Sequence, residues 1–209
     1  MKLLEYTLKN RAHVIIGEYM KFIPIGSNVL DIGCGNGVIS KMIADSLKCK
    51  VTGTDILDYR TTEIDFCQIK DEGKLPFKDN AFDMVMFNDV LHHMPYEMQP
   101  KIILEAMRVG KETIIFELRP TLYAKFTDWF ANKMHNPKVR VSLTQRTLEG
   151  WETMFKENNI NYNSFVIRRK FQKNRFNISY EKLAELLYLP IINFCFHLSK
   201  IHIAENSNN

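Results

Sequence analysis

Asp31-Ile32-Gly33-Cys34-Gly35-Asn36-Gly37 brings an acid and three glycines together within one short stretch. Glycines at this spacing let the backbone turn tightly and approach a ligand with no Cβ in the way. The spacing is GxGxG. Val38 stands where a dinucleotide fingerprint has its third glycine, and no Lys-Ser/Thr pair follows, so the stretch departs from both the NAD pattern and the phosphate loop. Asp55 follows Gly35 by 20 residues. In a doubly wound sheet that position reaches over the glycine turn, where a carboxylate can accept both hydroxyls of a ribose. Asp71 and Glu72 come next, and a carboxylate there can accept from an adenine amino group. His92 and His93 are adjacent imidazoles, able at neutral pH to take a proton from a hydroxyl, a phenol or an activated carbon. The plainer reading is that they open a helix and pack. His135 and Arg119 are weaker candidates, and a surface ion pair competes for Arg119.

The elements that must position these residues follow from hydrophobic patterning. Residues 3–22 carry Leu4, Leu8, Ala12, Ile15, Ile16 and Tyr19 at helical spacing, and Pro24-Ile25-Gly26 ends that helix. Strands are expected over residues 28–32, 51–55, 64–69, 82–87 and 113–118, with helices over 38–47 and 97–109. Alternation of strand and helix implies a parallel sheet covered on both faces, and Met84-Val85-Met86-Phe87 has the continuous apolar character of a doubly buried strand. Residues 146–158 pattern as a helix, and residues 162–168 and 171–178 as a terminal hairpin.

Taken together, these residues resemble a known family. Val29-Leu30-Asp31-Ile32-Gly33-Cys34-Gly35-Asn36-Gly37 is similar to motif I of class I S-adenosylmethionine-dependent methyltransferases. Thr52-Gly53-Thr54-Asp55 resembles their second motif. Asp71-Glu72-Gly73-Lys74-Leu75-Pro76-Phe77 with Asn80-Ala81-Phe82-Asp83-Met84-Val85 resembles the third and fourth. Asn88-Asp89-Val90-Leu91-His92-His93-Met94 is similar to the segment after the fourth strand in the branch of ubiquinone, menaquinone and small-molecule methyltransferases. The family has a Pro-Gly pair before its fifth strand, whereas Arg108-Val109-Gly110-Lys111-Glu112 keeps only the glycine.

The resemblance implies an α/β, Rossmann-like seven-stranded mostly parallel sheet with helices on both faces and a C-terminal antiparallel hairpin. It implies S-adenosyl-L-methionine as donor and S-adenosyl-L-homocysteine as product. By this resemblance Asp31 and the backbone of Gly33, Cys34, Gly35 and Gly37 hold the methionine end, and Asp55 takes the ribose hydroxyls. Ile56 packs on the adenine, Asp71 with Glu72 meets its amino group, and Asn88 lines the donor beside the acceptor. His92 and His93 are the candidate bases. The acceptor is expected to be a small or lipid-like molecule. A tRNA or rRNA methyltransferase and a nucleotide-cofactor oxidoreductase are the competing functions. Nucleic acid is disfavoured, because Asn88-Asp89-Val90-Leu91 stands where amino-methylating enzymes carry Asn/Asp-Pro-Pro-Tyr/Phe.

Composition sets the remaining bounds. With 209 residues, 45% hydrophobic and 25% charged, the chain reads as one ordinary globular domain. The net charge of +4 is concentrated late in the chain: residues 160–182 hold six cations and one anion. Cys34, Cys49, Cys67 and Cys195 form no CxxC pair, so neither a zinc site nor a disulfide framework is expected. No metal is expected. The longest uncharged apolar run, residues 186–199, is shorter than the roughly 18 residues of a membrane span. The division expected is an N-terminal helix (1–23), a cofactor-binding core (24–118), a lid (119–145), a helix with the terminal hairpin (146–178) and an apolar extension (179–209) that the core does not require. The extension is expected to pack on the sheet or on a second subunit of a homodimer. Alternatively, with the basic cluster, it makes a peripheral membrane contact through residues 160–205. The expected location is cytoplasmic.

Overall fold

The computed structural model describes residues 2–70, 73–122, 124–126, 129, 144–168 and 192–200. In chain order these form α1 (Lys2–Tyr19), β1 (Asn28–Ile32), α2 (Val38–Leu47), β2 (Lys50–Asp55), β3 (Asp65–Gln68), β4 (Phe82–Asn88), α3 (Gln99–Val109), β5 (Gly110–Leu118), α4 (Leu148–Glu157), β6 (Asn161–Arg168) and β7 (Ile192–Ser199). A single 3-10 turn, Leu91–His93, lies between β4 and α3. The strands make one seven-stranded sheet of order β3-β2-β1-β4-β5-β7-β6. β1 to β5 pair in parallel, and β7 runs antiparallel to both of its neighbours.

Each face of the sheet carries its own core. On one side Val29, Met84, Met86, Ile114 and Phe116 pack against Ile15 and Tyr19 of α1 and Ile43 and Leu47 of α2. On the other, Leu30, Val85, Phe87 and Ile115 pack against Ile102, Ile103 and Ala106 of α3 and Trp151, Met154 and Phe155 of α4. The strands therefore bury both kinds of neighbour, which explains their continuous apolar character. α3 hands directly to β5 at Gly110. A Cβ there would lie 2.5 Å from Val85 Cγ2 and 2.9 Å from Glu112 O, so the glycine is kept by close packing even without the preceding proline.

The last strand corrects the sequence reading. β6 falls where the hairpin was expected to begin, but its described partner is residues 192–199; residues 171–178 lie outside the described residues. The stretch Ile192-Asn193-Phe194-Cys195-Phe196-His197-Leu198-Ser199 alternates with period two. Phe194, Phe196 and Leu198 enter one core, while Cys195 enters the other. This part of the supposed extension is thus an interior strand, and its apolar side chains are spent inside the sheet rather than offered to a membrane or a second subunit. Residues 169–182, which hold most of the basic cluster, lie outside the described residues. Among the described residues no helix is long and apolar enough to cross a membrane.

Burying a large apolar side chain contributes roughly 1.5–3 kcal/mol. Three such residues on β7 therefore rival the ~5–15 kcal/mol that stabilises a whole domain. Deletion of residues 192–209 is expected to abolish the cooperative thermal transition followed by circular dichroism. A truncated chain that still melts cooperatively would contradict this account of β7.

Candidate active site

β1 ends at Ile32 and α2 begins at Val38, and the residues between them turn at the carboxyl edge of the sheet, where open α/β sheets bind ligands. Gly33 and Gly35 adopt φ of 74° and 56°, the left-handed region that a side chain disfavours. Gly33 is also closely covered: a Cβ would lie 2.2 Å from Val90 Cγ2, so the loop after β4 closes onto the glycine turn. The backbone N–H groups of Gly33 and Cys34 both donate to Thr54 O, at 2.8 and 3.0 Å, which ties the turn to β2. The Cys34 side chain is buried beneath this crossing. Burial pushes its thiol well above the ordinary range, so it packs rather than reacts.

Asp55, the last residue of β2, reaches across to the same turn. It accepts the Gly35 N–H at 3.0 Å and its neighbour Ile56 N–H at 2.8 Å. Burial raises its carboxyl above the usual range, and these backbone donors act the other way. A carboxylate offers about four acceptor sites; the Leu57 N–H and the Tyr59 hydroxyl also act on this one, so an arriving diol displaces the long Tyr59 contact. Beside it Ile56 and Leu57 leave about half of their surface exposed, and the Tyr59 hydroxyl lies 3.5 Å from Asp55 Oδ2. The result is a carboxylate flanked by an apolar shelf. Asp71 and Glu72, expected at the far end of that shelf, lie outside the described residues.

Asp31 lies deeper, 1% exposed. Ser40 Oγ of α2 donates to its Oδ2 at 2.6 Å, and Asn88 Nδ2 at the end of β4 donates to its Oδ1 at 3.0 Å. Burial is the main influence and moves the carboxyl from 3.8 up to about 7; the two hydrogen bonds lower it and nearby Asp55 raises it. Asn88 in turn accepts from the hydroxyl of Tyr19, on α1, at 2.6 Å.

The two histidines have different surroundings. His92 is fully buried, with Nδ1 2.6 Å from Glu117 Oε2. The other oxygen of Glu117 accepts the backbone N–H of Val90 at 3.1 Å and of Leu91 at 2.7 Å. One buried carboxylate on β5 thus fixes the whole post-β4 turn. His93 sets its ring tilted against that of His92, with centroids 4.2 Å apart, and is partly exposed. Of the expected base pair, only His93 presents a ring that solvent can reach. Gln99 completes the turn by donating to Leu91 O and Thr144 O, and Thr144 N–H donates to His92 O. These bonds anchor the far end of the expected lid. His135 lies outside the described residues, and Arg119 is exposed beyond β5.

Sequence reading missed the polar groups that arrive from a distance. Arg11 of α1 forms a bidentate pair with Asp89, with Nε 2.6 Å from Oδ2, and NH1 donates to Asn193 Oδ1 of β7. Its guanidinium stacks 4.6 Å from the Phe116 ring. A signal did exist. Arg11 borders the apolar stripe of α1, and Glu117 interrupts the apolar run of residues 114–118.

Residues 30–116 match the family model described as a methyltransferase domain. An uncharacterized protein of Haemophilus influenzae is 25% identical to the chain over 142 residues, which is 62% of this chain and 56% of that protein. The ubiquinone biosynthesis O-methyltransferase of Paraburkholderia xenovorans is 34% identical over 94 residues, which is 40% of this chain and 39% of that enzyme. The chain therefore spans about half or less of the length of these relatives. The crystal structure of a SAM-dependent methyltransferase from Archaeoglobus fulgidus superimposes with a TM-score of 0.61 at 16% identity, over 90% of this chain and 94% of that one. The two share a fold.

The raised carboxyl of Asp31 makes the stability of the fold pH-dependent. A folded value above the unfolded one means that stability falls as pH rises from about 4 to about 7 and stays reduced above that. Asp31→Asn removes this penalty. In urea denaturation its advantage over the parent is expected to grow by about 2 kcal/mol between pH 5 and pH 8. An advantage equal at both pH values would contradict the buried-carboxyl assignment.

Proposed function

We propose that the chain is an S-adenosylmethionine-dependent methyltransferase acting on a small or lipid-like acceptor. The observation that carries this reading is the placement of two buried carboxylates, Asp31 and Asp55, on either side of a glycine turn with positive φ. The residues fit the donor. Gly33 and Gly35 keep Cβ atoms out of the cradle, Asp55 takes the ribose hydroxyls in place of its long Tyr59 contact, and Ile56 and Leu57 offer an apolar shelf for the adenine. Asp31 is a buried acid whose hydrogen-bond partners are neutral, which suits the cationic end of an amino acid.

Bound there, the donor supplies a methyl group already activated on a sulfonium. The chain's work is orientation and exclusion of water. Asp31 and Asp55 hold the two ends of the donor, and Asn88 lines the space between donor and acceptor. Glu117 and His92 fix the post-β4 turn that covers the glycines. His93 is placed as the group that takes the acceptor's proton. An apolar acceptor is supported by Leu122, Phe126 and Trp129, large exposed side chains that follow the carboxyl end of β5, with the Phe126 and Trp129 rings 6.3 Å apart. The Paraburkholderia relative, an O-methyltransferase of ubiquinone biosynthesis by name, supports the same class.

Isothermal titration with S-adenosylhomocysteine is expected to show binding, and NADH none. Asp55→Ala should weaken that binding by about 1–3 kcal/mol through lost charge-assisted hydrogen bonds. Affinity should also rise between pH 6 and pH 8, as Asp31 ionises near 7 and meets the ligand's ammonium group. Unchanged affinity for Asp55→Ala would overturn the ribose assignment, and an affinity independent of pH would overturn the role given to Asp31.

A further inference from the structure

The N-terminal helix enters the site through two polar side chains that no family motif contains. Arg11 and Tyr19 both lie on the buried side of α1. Arg11 grips Asp89, and Tyr19 grips the preceding residue, Asn88. Tyr19 is fully buried and its ring meets Phe116 edge-on at 6.4 Å. Its hydroxyl donates to Asn88 Oδ1 at 2.6 Å and lies 3.3 Å from Phe87 O. Asn88 then donates from Nδ2 to Asp31 at 3.0 Å. The three residues therefore form a directed chain from helix to carboxylate, in which each step fixes the next.

Direction matters here because an asparagine amide has two unlike ends. With Tyr19 donating to the oxygen end, the N–H end is turned to Asp31. Asn88 is only partly buried, so without that tether its amide can swing toward solvent and leave Asp31 with Ser40 as its one remaining side-chain donor. Burial raises the Tyr19 phenol well above its ordinary range, so the hydroxyl stays protonated and stays a donor.

We propose that Tyr19 is a positioning residue of the donor site, its hydroxyl holding the Asn88 amide toward Asp31, so that α1 forms part of that site. This deepens the donor-binding reading and rests on it. Tyr19 touches neither donor nor acceptor in this account; it acts through Asn88.

Tyr19→Phe tests the idea with two readouts on the full chain. The first is S-adenosylhomocysteine affinity by calorimetry, expected to fall about tenfold, the loss of one strong buried hydrogen bond. The second is the titration midpoint of the Asp31 carboxyl, followed by carbon NMR without ligand and expected to move upward as the Asn88 donor is lost. Asp55 also acts on Asp31, and Asp31 acts on Cys34; the substitution leaves both residues in place. Phe116→Leu serves as the packing control: it loosens the ring contact of Tyr19 but keeps the hydroxyl, and should leave the midpoint where it is. A midpoint unmoved in Tyr19→Phe overturns the proposal, and so does a midpoint moved equally by Phe116→Leu. If the parent protein binds no S-adenosylhomocysteine, the donor reading fails, while the ligand-free midpoint still judges the orienting role of Tyr19.

Discussion

Asp31 sits near the end of β1 with almost no exposed surface, and the described groups that hydrogen-bond to it are a hydroxyl and an amide rather than a cation. A buried charge of this kind is costly, and its carboxyl responds by holding its proton up to about pH 7. Much of the surrounding structure is arranged around that one group. α2 supplies Ser40, β4 supplies Asn88, and α1 supplies the tyrosine that orients Asn88. In the proposed function the ammonium end of the donor is the partner of this carboxyl, and its arrival would offset part of the cost of burying the charge.

The second carboxylate is handled differently. Asp55 is capped by backbone N–H groups of the glycine turn and of its own strand end, so it holds the turn in shape. A third, Glu117, orders the turn after β4 by collecting Val90 N–H, Leu91 N–H and His92 Nδ1 around one side chain. The three acids stand on β1, β2 and β5 at the carboxyl edge of the sheet. Strand order thus sets these acids side by side at one edge of the fold.

The glycine turn and its two acids were legible in sequence because they are local. A strand, a glycine turn, a helix and an acid after the next strand lie within residues 28–55, and period and spacing reveal them. What escaped notice depends on long-range contact. Arg11 meets Asn193 across 182 positions, and Tyr19 meets Asn88 across 69. Nothing in local patterning pairs such residues. β7 was misread for a related reason. Its residues are apolar enough to resemble a loose tail, and the alternation of Phe194, Phe196 and Leu198 with Asn193, Cys195 and His197 becomes decisive only when both of its faces are seen to be covered. His92 and His93 look equivalent in sequence, and burial alone separates them.

The central claim is that the Gly33–Gly37 turn, Asp31 and Asp55 form one donor cradle completed by Asn88. A crystal structure of the protein with S-adenosylhomocysteine tests it most directly. The account predicts the product's ribose hydroxyls on Asp55, its amino-acid end beside Asp31, and its sulfur facing Asn88 with the Tyr19 hydroxyl still on that amide. Product bound away from the glycine turn, or bound there with its ribose remote from Asp55, would contradict it.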